Sequence, residues 1–202
     1  MSNGKVIPLR LKPAKRTYKQ GTLALVPVHH CIPLEVEKYW KDLDKAGRLE
    51  PRWYAERDPG WPCVYNTILA IQKGTYPALM YMLMNDDRQI IAELTLDNIL
   101  GKAAQSHFSV HPDLSYSDTI DVGKDAVAII LTAMVESATK EPMLYTLYGL
   151  TPLSNKAACI LALKTGYKKM GVLPKSAHLI NQGGLYDDCQ MSLITRDDLI
   201  GE

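Results

Sequence analysis

The sequence has no CxxC pair. Its four cysteines, Cys31, Cys63, Cys159 and Cys189, are scattered along 202 residues, so the ligand spacing of a structural zinc site is absent and no metal is expected. There is no signal-peptide pattern, and reduced thiols in the cytoplasm are the default expectation. The longest apolar stretch, Ala126 to Val135, is too short to span a bilayer and is broken by Thr132, so no membrane association is expected. Neither a GxSxG elbow nor a Walker-type loop occurs, and there are no repeats or low-complexity tracts. Charge of one sign is missing too. With 23 basic and 22 acidic residues, the chain carries no general attraction for nucleic acid.

Charge is uneven only at the start. Lys5, Arg10, Lys12, Lys15, Arg16 and Lys19 precede the first acidic residue, Glu35. Residues 1–20 therefore read as a basic arm, and 21–202 as one domain whose 47% hydrophobic content supports a substantial core.

Within that domain the periodicities alternate. Residues 22–28 read as a strand, with Pro27 marking an edge or an end. Residues 33–50 have helical spacing behind Pro33, and the Pro- and Trp-rich 51–66 reads as a structured loop leading into a helix over 64–73. A hairpin follows, 78–84 and 88–96 around Asn85-Asp86-Asp87, and then a strand over 103–111. Asp121 reads as the N-cap of a helix over 122–137, with Val122, Ala126, Ile129, Ile130, Ala133 and Met134 on one stripe. A strand over 143–150, a helix over 153–165 and strands over 167–173 and 186–194 complete the order. That order predicts an α+β fold: a mixed, mainly antiparallel sheet with helices on both faces.

The segment NKAACILALKTGYKKMGVLP, 155–174, carries the strongest motif. Asn155 opens a helix, and Gly166 suits a left-handed C-cap. Asn155, Ala158, Gly166 and Tyr167, with Gly171 on the next strand, resemble the GNAT (Gcn5-related N-acetyltransferase) superfamily. The resemblance implies acetyl-CoA as cofactor and a cleft between the strands over 103–111 and 143–149. It places Asn155 against the pantetheine or phosphate end of CoA. It also places Val122, Gly123, Lys124 and Asp125 at the diphosphate, where backbone N–H groups at a helix start hold phosphate. The family's paired glycines and leading Gln or Arg are missing there, and Asp118 and Asp121 add negative charge. The position of the family's proton-donating Tyr, seven residues after the Asn, holds Ala162; Tyr148 is the tyrosine expected to reach the cleft.

Period-two alternation puts Gln105, His107, Ser109 and His111 on one strand face and Glu93, Thr95 and Asp97 on one face of its neighbour. His107 is the first candidate for general base, since an imidazole titrates near neutrality, and Glu93 the second. His29-His30-Cys31 reads as a strand end. The resemblance implies an N-acetyltransferase acting by direct attack of a small-molecule or protein amine. The alternative it allows is a non-catalytic, bacteriophage-encoded GNAT-like protein, found in the host cytoplasm or virion and binding phage structural proteins in head assembly. A plain α+β binding domain would instead lack the cleft.

Overall fold

The computed structural model describes residues 14–18, 21–57, 59–133 and 141–200. Eight strands form one sheet: β1 (Ala14–Tyr18), β2 (Gly21–Pro27), β3 (Leu79–Met84), β4 (Ile90–Leu100), β5 (Ala103–Val110), β6 (Thr146–Pro152), β7 (Lys168–Leu179) and β8 (Leu185–Thr195). Their spatial order is β1-β2-β3-β4-β5-β6-β8-β7. Every neighbouring pair is antiparallel except β5 and β6. The helices are α1 (Pro33–Lys45), α2 (Leu49–Arg52), α3 (Trp61–Gln72), α4 (Tyr116–Thr132), α5 (Lys156–Lys164) and the short α6 (Asp197–Ile200). The α+β expectation holds.

Helices cover both faces, and the strands show why. Along β3, Tyr81 and Leu83 enter the cluster beneath α4, with Leu94, Leu96, Val122, Ala126 and Ile130. The intervening Met80 and Met82 enter the cluster beneath α1 and α3, with Trp40, Leu43, Val64 and Ile68. A strand buried on both sides must be apolar at every position. Each large side chain so buried stabilises the fold by roughly 1.5–3 kcal/mol.

Several boundaries differ from the sequence reading. Residues 14–18 of the basic arm form β1, which pairs with β2 from Tyr18↔Gly21 to Ala14↔Leu25. The rest of that arm, 1–13 and 19–20, lies outside the described residues, as does Met134 of the predicted helical stripe. β2 is therefore not an edge strand. Pro27 pairs only with Tyr81 on β3, beyond the described reach of β1, so its missing N–H costs no bond on the β1 side.

The largest shift is in α4. It starts at Tyr116, and Asp121 lies inside it. Ser115 is the cap: its Oγ accepts from the Asp118 amide at 3.2 Å and donates to Asp118 Oδ2 at 2.6 Å. This reciprocal bonding outcompetes a cap six residues later. Thr119 and Val122, both buried, carry the inward stripe back into the new first turns.

Candidate functional site

β5 and β6 run in the same direction but stay together for only three residue pairs: Ala103↔Thr146, Ala104↔Leu147 and Gln105↔Tyr148. Beyond these they part, although β5 continues to Val110 and β6 to Pro152. Ser106 closes the apex of the gap. Its Oγ donates to the Tyr148 carbonyl at 3.2 Å and lies 2.7 Å from the Tyr167 hydroxyl. The gap opens into a cleft of about 490 Å³, walled by the diverging strands, α4, α5 and the segment around α2. Backbone groups on the two facing edges are not paired with each other there, so an extended chain carrying amides can bond to either edge. A smaller hollow of about 320 Å³ adjoins it at the start of α5 and shares Pro51, Tyr54, Pro152, Asn155 and Ala157 with it.

Asn155 stands where both hollows meet. It is the N-cap of α5, its Oδ1 accepting from the Ala158 amide at 3.2 Å. Capping uses the oxygen, which leaves its amide N–H groups as the atoms to offer a ligand. At the other end of α5, Gly166 takes φ 106°, and the Tyr167 amide bonds back to the Ala162 carbonyl at 3.1 Å. This left-handed turn aims the Tyr167 ring into the cleft, close to Ala162 on its wall. Burial pushes the Tyr167 phenol up to about 12, with the Ser106 hydrogen bond pulling part of the way back. Gly171 sits at an irregularity in the β7–β8 pairing, with open space where a Cβ would lie.

Because α4 begins early, Val122, Gly123, Lys124 and Asp125 stand well inside it and not at its start. Val122 is buried in the core and Lys124 is exposed; of the four, Gly123 alone lines the cleft. A Cβ at Gly123 would lie 2.5 Å from Thr165 Cγ2, so this glycine permits α4 to approach the end of α5. At the true helix start, the Asp118 amide is already taken by Ser115 and its carboxylate faces the same turn. A cation reaches this loop from elsewhere. Arg48 donates to the carbonyls of Val110 and Pro112 at 3.4 and 3.5 Å. The strand gap thus suits a narrow, amide-bearing chain, and where the resemblance implied a diphosphate site the α4 loop has an arginine and a capped turn in place of a glycine loop.

The face of the sheet under α1 and α3 carries the polar row. His107 lines the cleft, and its Nε2 is 3.1 Å from both carboxylate oxygens of Asp97. Tyr76 donates to Asp97 Oδ2 at 3.2 Å. Burial works to raise the Asp97 pKa, but the bonds from His107 and Tyr76 outweigh it and hold the carboxyl below its usual range. Glu93 is placed differently. It is fully buried, accepts from the Thr95 hydroxyl and pairs with Arg52 at 3.6 Å, so Arg52 and not Glu93 lines the cleft. Tyr148 also stays out of the cleft lining: its hydroxyl donates to the Asn98 carbonyl at 3.3 Å.

The structure therefore brings His107, Gly123 and Asn155 to one cleft and leaves Glu93, Tyr148, Val122, Lys124 and Asp125 outside its lining. Sequence reasoning missed Arg48 and Arg52, which show no periodic signal, and the pairing of Ser106 with Tyr167. Asp97 was on the predicted polar face without a role. Among the described residues, no three of His, Cys, Asp and Glu converge as metal ligands would. His29 and His30 form a short turn after β2.

No protein-family model and no curated protein matches the sequence. Solved structures do match. A ribosomal-protein-S5-alanine acetyltransferase from Vibrio fischeri is 13% identical over 92% of this chain and 98% of its own, with a TM-score of 0.64. RimJ from Mycobacterium smegmatis, in complex with CoA-disulfide, is 15% identical over 94% and 93%, with a TM-score of 0.65. A spermidine N-acetyltransferase from Vibrio cholerae, in complex with CoA and spermine, is 14% identical over 88% and 98%, with a TM-score of 0.60. The chain has the fold of the GNAT acetyltransferases.

Proposed function

We propose that this protein is an acyl-CoA-dependent N-acetyltransferase, moving an acetyl group from acetyl-CoA to an amine by direct attack. The observation that carries the reading is the parting of β5 from β6 after Gln105↔Tyr148, which opens a cleft between two strand edges. Five residue steps separate Ser106, at the apex, from His111, at the loop before α4. At ~3.3 Å per residue that is about 16 Å, the reach of an extended pantetheine arm.

Acetyl-CoA supplies the acyl group as a thioester. The facing edges of β5 and β6 hold the arm, with Asn155 beside it and Arg48 toward the phosphates. On the other face of the sheet, Asp97 holds His107 through Nε2, so Nδ1 is the ring's acceptor and takes the proton that the attacking amine loses. The new bond joins the amine nitrogen to the carbonyl carbon, and the carbon–sulfur bond breaks with its electron pair on sulfur. The Ser106 hydroxyl stays on the Tyr148 carbonyl, and the Tyr167 hydroxyl turns from Ser106 Oγ to donate a hydrogen bond to charge developing at the apex. Arg52 stands in front of Glu93, which removes Glu93 from the base role.

The acceptor is a small-molecule or protein amine. Amine acetylation is also what the names of the spermidine and ribosomal-protein enzymes describe. The virion-assembly alternative draws no support from these likenesses. Release of free CoA thiol from acetyl-CoA, followed across a panel of amines with wild type and His107→Gln, tests the reading. Acceptor-dependent release that the variant loses supports it; no release with any amine contradicts it.

A further inference from the structure

The charged groups that line the cleft are of one sign. Arg48 and Arg52 face into it with His107, and Lys156 lines the adjoining hollow; among the described lining residues there is no Asp or Glu in either. The two carboxylates of the polar row stand behind this surface. Glu93 is fully buried beneath Arg52, and Asp97 is held by His107 and Tyr76. A polycation would meet two guanidiniums and no carboxylate among the lining residues.

The two arginines differ in what they hold. Arg48 is bound to the carbonyls of Val110 and Pro112, on the side of the α4 loop. Arg52 is on the acceptor side, near enough to Tyr54, Tyr76 and Asp97 for its charge to act on each. Its guanidinium lies 5.3 Å from the centre of the Trp53 ring, a contact that restrains its plane. Its ion pair with Glu93 is long, 3.6 Å, and its Nε is buried with no hydrogen-bond partner. Its terminal nitrogens thus line the cleft with most of their hydrogen-bonding capacity unused.

We infer that the acceptor is a zwitterionic amine of amino-acid type, whose carboxylate is bound by Arg52 while its amino group faces His107. The inference rests on the acetyl-transfer reading and adds the acceptor class to it. Guanidinium and carboxylate match in a two-bond fork, a geometry a lysine does not reproduce. Glu93 beneath Arg52 fixes the guanidinium without entering the cleft.

The test is calorimetric titration of the full-length protein, preloaded with CoA, using the common amino acids, their carboxamides and spermidine. At least one free acid should bind, with its carboxamide weaker by about tenfold or more. Arg52→Lys keeps a positive charge against Glu93, so the fold survives, and should erase the preference for acid over amide while acetyl-CoA still binds. Lys124→Ala, an exposed position outside the cleft lining, should leave that preference in place. The inference is overturned if no acid binds, if spermidine or the amides bind as well as the acids, or if Arg52→Lys changes nothing. An acid that binds through Arg52 but is never acetylated overturns the transfer reading alone. Acetylation of amides or spermidine with the acids inert overturns this inference alone.

Discussion

Gly123 on α4 and Thr165 at the end of α5 pack so closely that a Cβ at position 123 would stand 2.5 Å from Thr165 Cγ2. The same methyl is fixed in place because Thr165 Oγ1 donates to the carbonyls of Leu161 and Ala162, both at 3.0 Å. Alanine at 123 gains up to ~1 kcal/mol of helix propensity but forces a repacking that costs about 1–3 kcal/mol. Gly123→Ala should therefore lower stability by roughly 1 kcal/mol in urea unfolding. Thr165→Ser keeps the hydroxyl and removes the methyl. In that background Gly123→Ala should turn neutral or stabilising, and a double-mutant cycle reads the difference.

His107 and Asp97 make the second prediction. His107→Gln should lower kcat by ~10²–10⁴-fold with little change in the affinity for acetyl-CoA. Asp97→Asn should lower kcat less, since it leaves the imidazole in place and removes only the group that orients it. The Asp97 carboxyl is held below its unfolded value, so its contribution to stability is present above about pH 4 and is lost as pH falls through the lower folded pKa. Asp97→Asn should therefore flatten the acid side of the stability profile, measured as Tm against pH.

Tyr167→Phe keeps the ring and removes the hydroxyl that meets Ser106. Loss of one buried hydrogen bond should cost about 1 kcal/mol of stability. Because the Tyr167 hydroxyl is the donor for the departing sulfur, kcat should fall by ~10-fold or more, beyond what the small stability change explains. Tyr148→Phe, whose hydroxyl bonds to the Asn98 carbonyl away from the cleft lining, should leave kcat unchanged. Steady-state kinetics on the two variants separates them.

Much of this arrangement was legible in the sequence. The hairpin of β3 and β4 announces itself by apolar runs around Asn85-Asp86-Asp87, and the Asn155–Gly166 spacing marks both ends of the α5 segment. Those signals are local. The start of α4 was misplaced because Ser115 and Asp121 are both good caps, and only the bonds of Ser115 with Asp118 decide between them. β1 was hidden because its Lys and Arg residues suggested an arm, and pairing with β2 does not show in composition. Arg52 lies in a four-residue helix with no periodicity to read. Glu93 stayed a second candidate for the base behind His107, since alternation gives the face of a strand but not what packs over it. The Arg52 side chain separates them.

Charge at the start of α4 supplies a further prediction. Arg48→Ala removes a cation bonded to the loop before that helix and should weaken acetyl-CoA binding. Asp118→Asn removes the carboxylate from the capped turn and should strengthen it. Both effects should be a few-fold and should shrink as salt is raised, since the exposed groups are screened over ~8–10 Å. Calorimetry at low and high salt checks both.

Calorimetric titration with acetyl-CoA tests the central claim most directly, comparing wild type with Ala157→Trp. Ala157 is exposed and lines the mouth shared by the two hollows, so a large side chain there blocks entry without disturbing the core. The account predicts micromolar binding to the wild type and its loss in the variant. No binding at millimolar acetyl-CoA, or binding that the tryptophan leaves untouched, would contradict it.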